Sequence, residues 1–168
     1  MSVSLFQQAF HISRRFQFTG CMSAIMFLNG ITVVLAGGEE DYAGATIAWA
    51  TKVEQGHVMV SLPVDASVSD HILQDKTFTI SILASHQANL ARQYGGRKQS
   101  RPLPPNRDDL NFTLWGIPVV KDCRAQLLCV TQQINFIEQQ VVIIAKIQQA
   151  TSRNDVAPLV YDHGAYFD

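Results

Sequence analysis

A chain of 168 residues, 47% hydrophobic and only 16% charged, has the size of one domain and ample core material. Its formal charge of −1 argues against a nucleic-acid binder, which needs clustered Lys and Arg. Three cysteines without a CxxC pair suit reduced thiols in a cytoplasmic protein better than a disulfide framework. Residues 3–14 place Val3, Phe6, Phe10 and Ile12 near helical spacing and predict a short leading helix. Residues 14–38 are apolar enough to suggest an export signal or a membrane span. Ser23, Asn29, Gly30 and Thr32 interrupt that run, and Asn29-Gly30 is a hairpin-turn dipeptide. The reading is therefore two strands, 25–28 and 31–37, and no membrane. Gly37-Gly38 and the acidic Glu39 to Asp41 then predict a loop.

Further along, 45–52 and 57–62 are β-rich runs separated by Glu54-Gln55-Gly56, and Pro63 ends the second. Residues 68–74 read as a short helix capped by Ser67. A strand is expected over 77–83 and a helix over 85–94, stopped by Gly95-Gly96. Three prolines and mixed charges make 97–111 a long loop. The last third predicts strands at 125–130, 134–137 and 141–147. The unbroken apolar run Val141 to Ala145 suits a strand covered on both faces. Many short strands with few helices predict one mainly-β domain over 1–168, a barrel rather than a doubly wound sheet.

Most chemistries leave no trace. The acidic residues fall mainly in loops and form no acid/base pair. The five histidines show no HxH or HExxH spacing, so no metal site is expected. GxSxG, GxGxxG and GxxxxGK[ST] are all missing, which argues against covalent hydrolysis and against Rossmann or P-loop nucleotide sites.

One segment, residues 44–96, stands apart. Gly44-Ala45-Thr46, Ala48-Trp49, Val58 to Leu62, Ser67-Val68-Ser69 and Phe78 to Leu83 follow one another in it. Leu90-Ala91 and Tyr94-Gly95 come next, then Pro118, Cys129, Pro158 to Tyr161 and Gly164 to Tyr166. This order resembles the flavin reductase-like family, the FMN-binding split β-barrel proteins, over roughly the last four fifths of the chain. The resemblance implies a Greek-key-like split barrel with a few short α-helices, commonly a homodimer. It implies FMN held by Thr46, Ala48, Trp49, Ala50, Thr51, Ser61 and Leu62, with Leu83 and Ala84 bordering the site. It implies the phosphate at Ser67, Val68 and Ser69, where a helix start favours an anion. The activity implied is hydride transfer from NAD(P)H to FMN, supplying a partner oxygenase with reduced flavin.

Three positions depart from the family's habit. Ala48 stands where a small polar residue is common, and Ser81 where Asn is frequent. Gln140 falls where many of these reductases carry His, and an amide cannot exchange a proton near neutral pH. No catalytic residue is therefore assigned. Two other readings stay open: an FMN protein that carries electrons without nicotinamide, and a barrel that has lost flavin and serves as an interaction module.

Overall fold

The computed structural model describes residues 29–96 and 106–160. The expected helix over 3–14, the strand over 25–28, most of the 97–111 loop and the Gly164 to Tyr166 match lie outside the described residues. So does the partner strand of the Asn29-Gly30 turn; Gly30 itself bridges to Val160.

The strands are β1 Thr32–Gly37, β2 Tyr42–Ile47, β3 Ala50–Glu54, β4 His57–Pro63 and β5 Thr77–Ile82. They continue with β6 Leu110–Phe112, β7 Pro118–Val120, β8 Ala125–Ile137 and β9 Gln140–Ser152. Two helices, α1 Ser67–Asp75 and α2 Ala88–Tyr94, complete the described regular structure, with one 3₁₀ turn at Arg107–Asp109. Seven strands form an antiparallel sheet in the order β2-β1-β5-β8-β9-β4-β3, and β6 pairs with β7 alone.

β2 and β3 lie at opposite edges of this sheet although only Ala48 and Trp49 separate them in sequence. A sheet whose outermost strands are joined by two residues has to curl until its edges approach, which makes the barrel. The single strand expected over 45–52 is thus two strands on different neighbours. The backbone bends at Ala48-Trp49, where Ser61 N donates to Trp49 O at 3.1 Å.

The core has two parts. Inside the barrel, Val34, Val60, Leu62, Phe78, Ile80 and Ile143 pack with Val68 and Ile72 of α1. Outside it, Val33, Leu35 and Leu83 pack beneath Leu90, Ala91 and Tyr94 of α2 and beside Leu110 and Val120. β1 separates the two and is buried at all six positions. Two-sided cover therefore belongs to β1; the Val141 to Ala145 run alternates between buried and half-buried. Burial pushes the thiols of Cys123 and Cys129 up, that of Cys129 to about 12.

Other boundaries moved for local reasons. The runs 125–130 and 134–137 are one 13-residue strand, with register shifts between Leu128 and Cys129 and between Thr131 and Gln133 absorbing the irregularity. Helix α2 starts at Ala88 rather than 85, because Ala84 N donates to Gln87 Oε1 and Gln87 N to Ala84 O, closing a turn first. Ser67 is not a cap: α1 is entered from Ala66, without a side-chain capping bond. The β6–β7 ribbon was not foreseen. Two buried hydroxyls fasten it to β5, Thr79 Oγ1 donating to Pro118 O at 2.5 Å and Ser81 Oγ accepting from Val120 N at 3.1 Å.

Candidate functional site

The edge strand β2 reads Tyr-Ala-Gly-Ala-Thr-Ile, with four small residues, Ala43 to Thr46, where larger side chains would fill the surface. Along a strand, side chains alternate between faces. Ala43 and Ala45 pack toward the barrel core, while Gly44 and Thr46 face α2. A Cβ on Gly44 would lie 2.6 Å from both Leu35 Cδ2 and Tyr94 Cδ1. Glycine at 44 lets the buried Tyr94 ring lie flat against the strand. Thr46 Oγ1 donates to Ala91 O at 2.7 Å, so α2 is fixed to β2 at two points.

The backbone of β2 has a direction as well. Leu83 N donates to Ile31 O at 3.0 Å, so odd-numbered residues of β1 turn their polar groups to β5 and even-numbered ones to β2. The hydrogen-bonded pairs with β2 are then Thr32–Ile47, Val34–Ala45 and Ala36–Ala43. The N–H and C=O groups of Gly44 and Thr46 face the other way. Among the described residues no strand pairs with that edge.

A cavity of about 1290 Å³ opens along it. Residues 41–46 form one wall, and the opposite wall is the turn 63–66 with Ser67 and His71 of α1. Tyr94 and Gly96 close one end, and Gln139 and Gln140, at the tip of the β8–β9 hairpin, close another. That tip is tied down by Val64 N donating to Gln139 O at 2.9 Å. Ser61 Oγ, one strand away, donates to Gln140 Oε1 at 3.2 Å. The β1–β2 turn forms because Gly37 adopts φ +97°, and a Cβ there would meet Asp41 O at 2.3 Å. It brings Asp41 Oδ1 to 3.8 Å from His71 Nε2. Beyond the turn, Arg107 pairs with Glu39 at 2.6 Å and lies over Phe112, whose ring meets Tyr42 edge-on.

Of the residues singled out in the sequence, Thr46 and Ser67 line this cavity. Ser61 stands behind it through Gln140. Val68 and Leu62 are in the barrel core. Leu83 and Ala84 are fully buried. Ala48 and Trp49 form the bend, with Trp49 70% exposed, and Ala50 and Thr51 belong to β3 at the far edge. Ser69 is completely buried and does not line the cavity; its hydroxyl donates to Pro63 O at 2.8 Å. Gly44, matched in the sequence, lines the space too, and so do Tyr42, His71, Tyr94 and Gln139, which were not chosen as ligand contacts. For His71 the i,i+4 spacing from Ser67 was the available signal. Among the described residues no group of His, Cys, Asp or Glu could hold a metal.

The model of the flavin reductase like domain matches residues 22–168. The fold is similar to the NADH:FAD oxidoreductase SgcE6 of Streptomyces globisporus C-1027, with TM-score 0.72 and 21% identity over 81% of this chain and 82% of that one. It is similar to BorF, the flavin reductase component of a bacterial two-component tryptophan halogenase, with TM-score 0.73 and 24% identity over 82% and 88%. The styrene monooxygenase flavin reductase of Pseudomonas putida S12 aligns with TM-score 0.69 and 23% identity over 81% and 87%. No curated protein sequence matches the chain.

Proposed function

This chain belongs to the flavin reductase-like family, and from that premise we propose that it binds FMN in the cavity beside β2 and reduces it with NAD(P)H. The observation that supports this most is the unpaired edge of β2, where Gly44 and Thr46 turn backbone donors and acceptors into a space about 1290 Å³ in volume. That exceeds the ~300–1,000 Å³ typical of ligand pockets and leaves room for a second ring. A flavin's pyrimidine edge presents both acceptors and a donor, which alternating backbone groups match. Glycine at 44 and alanines at 43 and 45 allow a planar ring to approach closely.

Within this reading each lining group has a task. The backbone of Gly44 and Thr46 orients the ring edge, while Thr46 Oγ1, committed as a donor to Ala91 O, can still accept. Gln139 and Gln140 offer amides at the mouth, with Gln140 steadied by Ser61. Ser67 offers a hydroxyl to the phosphate. Tyr94 supports the strand from behind. The bound flavin supplies the hydride-accepting chemistry, so the protein's work is orientation and exclusion of water.

The reading extends to a homodimer and to a partner oxygenase that consumes the reduced flavin. Trp49, Phe136 and Ile137 are all more than half exposed and support an interface between subunits. Two solved neighbours, the flavin reductase component of a tryptophan halogenase and a styrene monooxygenase flavin reductase, support the oxygenase. Among the described residues no helix is long and apolar enough to cross a membrane.

The test mixes purified protein with FMN and then with NADH or NADPH in the absence of other acceptors. Saturable quenching of flavin fluorescence followed by bleaching of the flavin absorbance is the expected result. Quenching without bleaching by either nicotinamide would favour the electron carrier, consistent with Gln140 where a histidine is common. Absence of quenching would leave the flavin-free module.

A further inference from the structure

Ser67 and His71 are four residues apart on α1, so their side chains share one face, and both line the cavity. Ser69, between them, is turned into the protein with its hydroxyl on Pro63 O. The polar side chains that α1 gives to this space are therefore Ser67 and His71. The imidazole is firmly seated, because the ring lies against Gly37, where a Cβ would come within 3.1 Å of Nδ1. Its Nε2 faces Asp41 Oδ1 at 3.8 Å, too long for a hydrogen bond. Asp41 holds its place loosely, its side chain being 90% exposed.

The charges of the described lining are otherwise unfavourable to an anion. Asp41 and Asp65 carry carboxylates, and His71 is the one side chain there that can become cationic. Among the described lining side chains, a phosphate is repelled by the two carboxylates and finds a nitrogen donor that can carry charge at His71. We infer that His71 is the residue by which this cavity selects a phosphorylated flavin over riboflavin, its Nε2–H donating to the phosphate next to the Ser67 hydroxyl. The inference rests on the flavin reading of the site. In this arrangement Asp41 is a competitor for the same nitrogen, displaced when the phosphate arrives.

Fluorescence titrations of FMN and, separately, of riboflavin into wild type, His71→Ala and Asp41→Asn test this. His71→Ala is expected to weaken FMN about tenfold and to leave riboflavin within about twofold, the loss of one charge-assisted hydrogen bond. Asp41→Asn, at an exposed position that leaves the fold intact, is expected to tighten FMN several-fold and riboflavin not at all. Equal weakening of both flavins by His71→Ala, or an FMN affinity indifferent to Asp41→Asn, would overturn the inference. Wild type that binds riboflavin and FMN with one affinity would overturn it too, while leaving the flavin site standing. Wild type that binds neither would overturn the flavin reading itself.

Discussion

The two edges of the sheet, β2 and β3, are nearly continuous in sequence and opposite in character. β2 is half-buried, built from Ala43, Gly44, Ala45 and Thr46, and has α1 and α2 packed on its two faces. β3 reads Ala-Thr-Lys-Val-Glu, is exposed from Thr51 onward, and carries Lys52 and Glu54 on a free edge. Charge on an edge strand blocks pairing with another chain, the ordinary protection of a barrel rim. For an uncharged, small-sided edge with a cavity alongside, the proposed function supplies a different explanation: its backbone polar groups are left for the flavin. On the proposed reading, the contrast puts the flavin on the β2 side of the Ala48-Trp49 bend.

The sharpest way to break this contrast is to fill the glycine. Gly44→Ala places a methyl within 2.6 Å of two buried side chains, Leu35 and Tyr94, neither of which can move into solvent. Overpacking of this kind costs about 1–3 kcal/mol, and the displaced strand should lose flavin affinity as well. Denaturant unfolding and flavin titration read the two effects separately.

Thr46→Val keeps the β-branched shape and removes the side-chain bond to Ala91 O. A loss of about 1 kcal/mol is expected, measured by the shift of the urea midpoint. The smallest effect belongs to the other edge. Lys52→Ala should change stability by less than about 0.5 kcal/mol and leave flavin affinity unaltered, because the residue is exposed and does not line the cavity. A Lys52 variant that lost flavin as severely as Gly44→Ala would erase the distinction between the edges.

How far the sequence foretold this depends on the range of each signal. β1, β4, β5 and α1 were legible within a residue or two from apolar pattern and from Gly and Pro punctuation. The bend at Ala48-Trp49 was not, because 45–52 is uniformly β-favouring and the break is forced by closure of the whole sheet. Thr46 and Ser67 could be placed from their order in the chain. Ser69 could not be told from Ser67, since only packing of α1 decides which hydroxyl turns to Pro63 O. Tyr94 read as the apolar side of a helix, and its service to Gly44 depends on a contact fifty positions back in the chain. His71 carried no metal-ligand spacing, only its i,i+4 relation to Ser67; the β1–β2 turn brings Asp41 to it.

Amide chemical shifts, followed while FMN is added to isotopically labelled protein, test the central claim most directly. The amides of Gly44 and Thr46 should shift in step with saturation, and those of Lys52 and Val53 on β3 should stay in place. Movement confined to β3, or a titration that leaves Gly44 and Thr46 untouched, would contradict a flavin seated along the β2 edge.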